Sequence, residues 1–583
     1  MSSLEPLPPT ADSPGALPPG QRRLQLALVC LCAALPFVNT LSNGFVWDDV
    51  LLVQSNPWME GPLRLGDLFG SHFWAFAERG DLSRNYYRPL VHVTLWLCHA
   101  VFGFRPWGYH LVAVLGHVAV SALVYQVGLL FSQAHRRDSR AALAAGLLFA
   151  VHPIHTEAVA WVSAINDVAL GLGVMLALWC MLTSAPGLTR RCVLAGLVFL
   201  CALLFKEPAV LLLGLVGVWD LVFGGRAWTL RQWVGRYAPL AVALAVYASL
   251  RLHALAGLGR TVHHSQLGLT GLLLNAPPLL AQYLGALVLP LQLNAFHVFE
   301  PVTSPWTPQV LAGLAALGGL ALGAAVLWRR APPAFVALAW CLLPLLPLFY
   351  LPALGSNAFA ERYLYLPSVG FVLLVGLGSQ ALGRRMLFAG LVLVVLAGGL
   401  ATARRNTVWH DNLSLWLDAW EQSPESPEIH EGLGLALLDQ GRLPEAIEHL
   451  ERAPRQGAAI RRNLGLAYAR AGRWRQAEET LQEAVRLEPD NAGAWSNLCL
   501  VHKNLKELPR AIEECESAVR LSPQLPEART SLGQVLLLAG RLDAAEQALQ
   551  AALSLRPGFA PAQRLLERLE RQRRPPEQDA TGP

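Results

Sequence analysis

Charge is what this chain has least of. Of its 583 residues only 15% are Asp, Glu, Lys or Arg, while 54% are hydrophobic. A soluble domain carries roughly a quarter of its residues as charged types, so a single water-soluble globule is excluded. The deficit lies mainly in about the first 400 residues; beyond them the chain turns Arg/Glu/Ala-rich. This step in composition marks the main domain boundary. An excess of one sign is also missing: the formal net charge is +5 and the arginines are spread along the chain, so nucleic acid is not an expected partner. Cysteine is sparse too. Most of the nine sit inside apolar runs (Cys30, Cys32, Cys98, Cys180, Cys192, Cys201, Cys341) and none shows metal or disulfide spacing. Each is read as a small apolar filler. No small-residue cleavage site follows the apolar run Leu24–Thr40, which Arg22 and Arg23 precede. It is expected to be an uncleaved first span starting in the cytoplasm, after a disordered Pro/Ser-rich stretch 1–20.

What is present instead is a succession of apolar runs. A helix needs about 20 apolar residues to cross a membrane. The expected spans are 24–41, 108–131, 141–152, 166–184, 192–205, 208–223, 237–254, 308–328, 332–351, 364–382 and 386–402. Runs 89–102 and 271–291 (broken by Pro277 and Pro278) are ambiguous. The basic loops around Arg136-Arg137, Arg190-Arg191, Arg226 to Arg236, Arg329-Arg330 and Arg384-Arg385 all fall inside only if both ambiguous runs lie at the outer surface or re-enter. About eleven spans follow, with everything after the last one outside the cytoplasm. The external segments then gather most of the titratable residues: Asp48-Asp49, Arg88, His152 to Glu157, Lys206-Glu207 and Glu361-Arg362. Charges near membrane depth are costly, so their convergence on one face points to a site.

From about Pro427 the sequence repeats with a period of 34: Pro489, Pro523 and Pro557; Ala477, Ala511 and Ala545; Leu464, Leu498 and Leu532, each followed by Gly465, Cys499 or Gly533. The pattern resembles the tetratricopeptide (TPR) signature. Four units span 427–560, the first shortened by about three residues, and 404–426 joins them to the last span. Cys515 occupies the large apolar slot held elsewhere by Leu481 and Leu549 and is read as core packing. Stacked units bury what one unit cannot and form a groove for a peptide or protein. Residues 561–583 close the chain as a helix end and a polar tail.

Read together, Asn43-Gly44-Phe45-Val46-Trp47-Asp48-Asp49, Tyr87-Arg88-Pro89-Leu90, Gly108-Tyr109-His110-Leu111-Val112, His152-Pro153-Ile154-His155-Thr156-Glu157, Lys206-Glu207 and Glu361-Arg362-Tyr363-Leu364-Tyr365 resemble, in order, the transmembrane and TPR-containing protein O-mannosyltransferases and their bacterial relatives. The resemblance covers about residues 24–560. It implies an all-α, polytopic membrane bundle of the GT-C glycosyltransferase type over 21–403, followed by a TPR α-solenoid. It also implies transfer of a sugar, for this family mannose, from a polyprenyl-phosphate donor to Ser or Thr of a protein, with an acidic motif in the first external loop catalytic. The short array of about four repeats and the shorter external insertion depart from the animal members and favour a bacterial relative.

The reaction needs a base for the acceptor hydroxyl: Asp48 first, Asp49 second, against the alternative that the pair caps a helix. A phosphate leaving group needs cations, for which Arg88, Lys206 and Arg362 are candidates, with Glu207 and Glu361 beside them. His155 and Glu157 are further candidates for substrate contact, and Glu157 with Asn166-Asp167 is placed along an acceptor groove. His152, His155 and Glu157 do not match a helical zinc motif, so no metal and no cofactor is expected beyond the lipid-linked donor. The competing readings are a non-catalytic membrane scaffold for the TPR module and a transporter; the gathering of polar motifs at one face speaks against the latter. The location expected is a bacterial inner membrane, or alternatively the endoplasmic reticulum membrane, with the repeats on the periplasmic or luminal side.

Overall fold

The computed structural model describes residues 18–77, 85–133, 139–224, 227–257, 267–351, 358–454 and 457–573. Expectations for residues 1–17, for 134–138 in the first basic loop, for Arg226 and for the tail 574–583 lie outside the described residues. Helices make up the regular structure, and no strand occurs among the described residues. Two compact units divide the chain, Met1–Asp418 and Ala419–Pro583.

Among the described residues of the first unit eight helices are long and apolar enough to cross a membrane: Pro19–Ser42, Pro106–Gln133, Val162–Leu182, Leu230–Ala254, Gly268–Val288, Pro308–Arg330, Pro332–Phe349 and Arg384–Trp409. Arg140–Val151 and Pro153–Ala160 pass the same test only together, as a pair bent by 49° that is either a broken span or a re-entrant loop. The bend has a local cause. Pro153 forces its predecessor out of the helical region, and His152 is extended at φ −70°, ψ 124°. Fewer helices pass the length test than the eleven runs read from the sequence, because three of those runs form short helices. Arg190–Phe205 and Leu212–Phe223 are separated by the turn that carries Lys206-Glu207-Pro208, and Pro367–Gly378 starts late. Conversely, Pro277 and Pro278 do not break Gly268–Val288, so a run read as surface-lying or re-entrant is long enough to cross.

Val124, Phe131, Met175, Phe199, Trp340 and Val372 belong to one large buried core. Close helix approach is built in: a Cβ on Gly370 would sit 2.2 Å from the Cys341 backbone nitrogen, so only glycine lets Pro367–Gly378 lie against Pro332–Leu342. The outward faces stay apolar, with Leu314, Leu322, Phe388 and Leu396 exposed. In water such a surface would drive association; in hydrocarbon it costs nothing.

The second unit stacks four helix pairs: Pro427–Asp439 with Leu443–Arg452, Ala458–Arg470 with Trp474–Leu487, Ala492–Asn504 with Leu508–Leu521, and Pro526–Leu538 with Leu542–Leu555; Ala560–Arg573 follows as a further helix. The turn within each pair needs one left-handed residue. Gly441, Gly472 and Gly540 supply it, whereas Lys506 adopts φ 64° without that freedom. The small position read from the sequence faces the large one across each pair. A Cβ on Gly465 would lie 2.5 Å from Leu481, and one on Gly533 would lie 2.6 Å from Leu549. In the third pair both positions are cysteine, and here the sequence reading is corrected: Cys499 and Cys515 form a disulfide. A linear scan missed it because the separation of 16 residues acquires meaning only when two helices fold antiparallel.

Candidate active site

The acidic turn follows the first span directly. Its shape is set at Trp47, a non-glycine residue at φ 53°, a conformation persisting only where surroundings impose it. Those surroundings come from far along the chain. Asn412 Oδ1 accepts the Trp47 N–H at 2.7 Å, the Gly44 N–H donates to the His410 carbonyl at 2.8 Å, and the Trp47 ring stacks on Trp161 with centroids 5.0 Å apart. Trp416 meets the same ring edge-on at 5.6 Å.

The two carboxylates that follow are held differently. Asp49 is fully buried and saturated: its Oδ1 accepts from the Ser163 N–H at 2.7 Å and from the Ser163 hydroxyl, and its Oδ2 accepts from the Val46 N–H at 3.1 Å. Asp48 is half-buried and has no hydrogen-bond partner among the described residues. Burial raises Asp48 to about 6, opposed by the Arg362 charge. Burial likewise raises Asp49 to about 7, against its hydrogen bonds from Ser163 and Val46. Asp49 closes the turn; Asp48 is the carboxylate with accepting capacity to spare.

Three ion pairs belong to the same neighbourhood. Arg362 donates from both its guanidinium and its backbone N–H to Glu157. Lys206 Nζ donates to Asp167 Oδ1 at 2.5 Å. Arg88 grips Glu207 through Nε at 3.1 Å and a terminal nitrogen at 3.0 Å. The pairs are linked through space. The Tyr363 ring lies 5.4 Å from Lys206 Nζ and 4.9 Å from the Arg362 guanidinium carbon, and the latter is also 5.2 Å from the centre of Trp161. Burial lowers Lys206 to about 8 despite Asp167, with Arg88 and Arg362 adding to the shift. Burial opposes the charges of Arg362 and Arg88, but Glu157 and Glu207 respectively outweigh it and keep both cationic. Each guanidinium has five N–H donors and the ammonium three, and the protein takes only some of them.

The structure thus brings together Asp48, Asp49, Arg88, Glu157, Lys206, Glu207 and Arg362. Two of the sequence candidates stand apart. His155 is buried against Phe149 and Tyr365, its Nε2 2.9 Å from the Ser368 hydroxyl. Glu361 accepts the Asn294 N–H at 2.6 Å and lies 3.3 Å from His297 Nε2, so it pins the loop before Phe296. Other residues escaped the sequence reading: Ser163, Trp161, Tyr363 and, from the segment assigned to a mere connection, Trp409, Asn412 and Trp416. The density of tryptophan in 404–420 was the available signal. Among the described residues of this unit, no group of three His, Cys, Asp or Glu ligand atoms converges as a metal site would require.

An apolar, membrane-type helical bundle that holds an unpartnered carboxylate in the field of Arg362, with helix-pair repeats after it, defines the class: a multi-span helical membrane protein carrying a TPR module. Two tetratricopeptide repeat family profiles match, one over residues 413–459 and 462–526 and the other over 505–569. The chain is also similar to curated protein O-mannosyl-transferases. It is 27% identical to TMTC3 of Mus musculus over 91% of this chain and 64% of that protein, and 26% identical to Tmtc3 of Drosophila melanogaster over 92% and 68%. A stretch covering 32% of this chain is 36% identical to TMTC2 of Mus musculus, 22% of which it spans. The chain therefore covers 64% of the length of the mouse TMTC3 it matches. Among solved structures, the crystal structure of MamA is 26% identical with a TM-score of 0.24, over 25% of this chain and 88% of that one.

Proposed function

We propose that the chain is a membrane glycosyltransferase that moves a sugar, mannose in view of its relatives' names, from a polyprenyl-phosphate donor to a Ser or Thr hydroxyl of a protein. The single observation that carries this reading is the asymmetry of the acidic turn: Asp49 is saturated while Asp48, within the field of Arg362, has no partner. Asp48 accepts the acceptor's proton as its oxygen attacks C1 of the sugar. The C1–O bond to phosphate breaks, and the polyprenyl phosphate leaves with the electron pair, inverting the anomeric centre. Arg362, Lys206 and Arg88 steady the charge that develops on phosphate; pairing with carboxylates fixes their direction in advance.

A cavity of about 590 Å³ supports a lipid donor. It is lined by apolar side chains such as Leu115, Leu172, Leu176, Leu197 and Phe205, and by Thr94. Phe205 directly precedes Lys206 in sequence, so an isoprenoid stem seated there has a cation close to its phosphate end. The repeats recruit the protein acceptor, since stacked helix pairs present a groove. The Cys499–Cys515 disulfide favours an oxidising compartment for the repeats, hence the side of the membrane opposite the cytoplasm. A bacterial periplasm and an endoplasmic reticulum lumen both meet that condition.

Purified full-length protein in lipid nanodiscs, incubated with a panel of radiolabelled polyprenyl-phosphate sugars and a Ser/Thr-rich protein, should move label into the protein. Asp48→Asn should lower transfer by about 10²–10⁴-fold, the range for a lost general base, while the chain stays inserted and folded. Absence of label from every donor refutes the activity, and full transfer by Asp48→Asn refutes the site.

A further inference from the structure

Three polar atoms on one short stretch lack partners. Trp161 Nε1, Asn166 Oδ1 and Asp167 Oδ2 are buried and have no hydrogen-bond partner among the described residues. Their residues are 4%, 7% and 3% exposed. A buried polar group without a partner is costly to leave unmade, and here three such groups fall within seven residues beside the acidic turn. The stretch belongs to the site. Ser163, between them, holds Asp49. Asp167 gives its other oxygen to Lys206. Trp161 stacks on Trp47 at 5.0 Å and on Trp409 at 5.6 Å. Stacking engages the faces of the Trp161 ring and leaves its N–H, on the rim, as the unused group.

We propose that Trp161, Asn166 and Asp167 form a recognition subsite for the hydroxyls of the transferred sugar. One donor and two acceptors match vicinal hydroxyls, each of which both donates and accepts. A Ser or Thr side chain offers a single hydroxyl and leaves part of the set unmet. The subsite rests on the glycosyltransferase reading above and adds to it the residues that choose the sugar. A site built to hydrogen-bond a hydroxyl discriminates strongly against analogues lacking it, because its buried groups are then left unpaired.

Trp161→Phe keeps an aromatic ring against Trp47 and removes the N–H together with the second ring; Asn166→Leu removes the amide and keeps the branched shape. Asp167 is left intact because it holds Lys206. With polyprenyl-phosphate mannose, each variant should lower kcat/KM at least roughly tenfold. With a set of monodeoxy-mannose donors, one deoxy position per variant should abolish the difference from wild type, since the hydroxyl concerned is already gone. The KM for the protein acceptor should not move. Equal penalties across all deoxy donors, an effect confined to acceptor KM, or wild-type behaviour throughout would each overturn the proposal. Donor binding measured calorimetrically in the Asp48→Asn background separates the two claims. Weaker mannose-donor binding after Trp161→Phe supports the subsite even if no transfer is seen, and unchanged binding refutes the subsite while leaving the transferase reading to its own test.

Discussion

Burial raises both carboxyls of the Asp48–Asp49 pair, to about 6 and about 7, yet the two face different neighbours. A base must be ionised to accept a proton, and an Asp raised by burial is protonated below its pKa. Transfer should therefore fall as pH drops through about 6, with activity present above it, and initial rates between pH 5 and 8 will show this limb. An acidic limb at the ordinary aspartate range, near pH 4, would mean that burial does not raise the Asp48 carboxyl, and loss of the limb in Asp48→Asn assigns it to Asp48. Adjacency in sequence named the pair as candidates, but which of the two is free depends on Ser163, 114 residues from Asp49, and no local pattern reports that. Arg362 carries the same lesson. Its neighbour in sequence is Glu361, but its ion-pair partner is Glu157, because a short 3-10 turn at Glu361–Leu364 sends consecutive side chains in different directions.

At the level of elements, the repeats show what periodicity can and cannot carry. A spacing of 34 residues sufficed for the helix pairs and their small and large facing positions, since each contact lies within one or two turns of a known register. Departures from the repeat are where tertiary detail enters. Lys506 occupies the left-handed turn position held by glycine in the other pairs, a conformation that costs a side-chain-bearing residue roughly 1–2 kcal/mol, partly offset by the extra unfolded-state entropy of glycine. Lys506→Gly should therefore raise the melting temperature of the repeats by a few degrees, roughly as expected for about 1 kcal/mol, when followed by circular dichroism; an unchanged or lower value contradicts the strain. In the membrane unit, proline had opposite consequences in two places: Pro153 bends its helix pair, whereas Pro277 and Pro278 are accommodated within Gly268–Val288.

For the whole molecule, the proposed placement of the repeats on the non-cytoplasmic side is open to a thiol test. When membranes are denatured in excess maleimide before reduction, Cys499 and Cys515 should stay unlabelled and become reactive only after reductant is added. Free cysteines such as Cys201 should label at once. Labelling of the pair without reductant would place the repeats in a reducing compartment and reverse the assignment.

Composition and period, by themselves, determined that this is an apolar helical bundle followed by a repeat solenoid, because hydrocarbon length and helix-pair stacking act through short-range patterns. They also brought the acidic turn and the basic residues of the site to notice, since charge beside apolar runs is expensive and needs a reason. Only the tertiary structure decided which charges meet, which aspartate is left free, that Trp409, Asn412 and Trp416 shape the acidic turn, and that two cysteines close a bond. These are contacts between residues tens to hundreds of positions apart. Their geometry is set by how whole helices pack, and the chain carries no local mark of it.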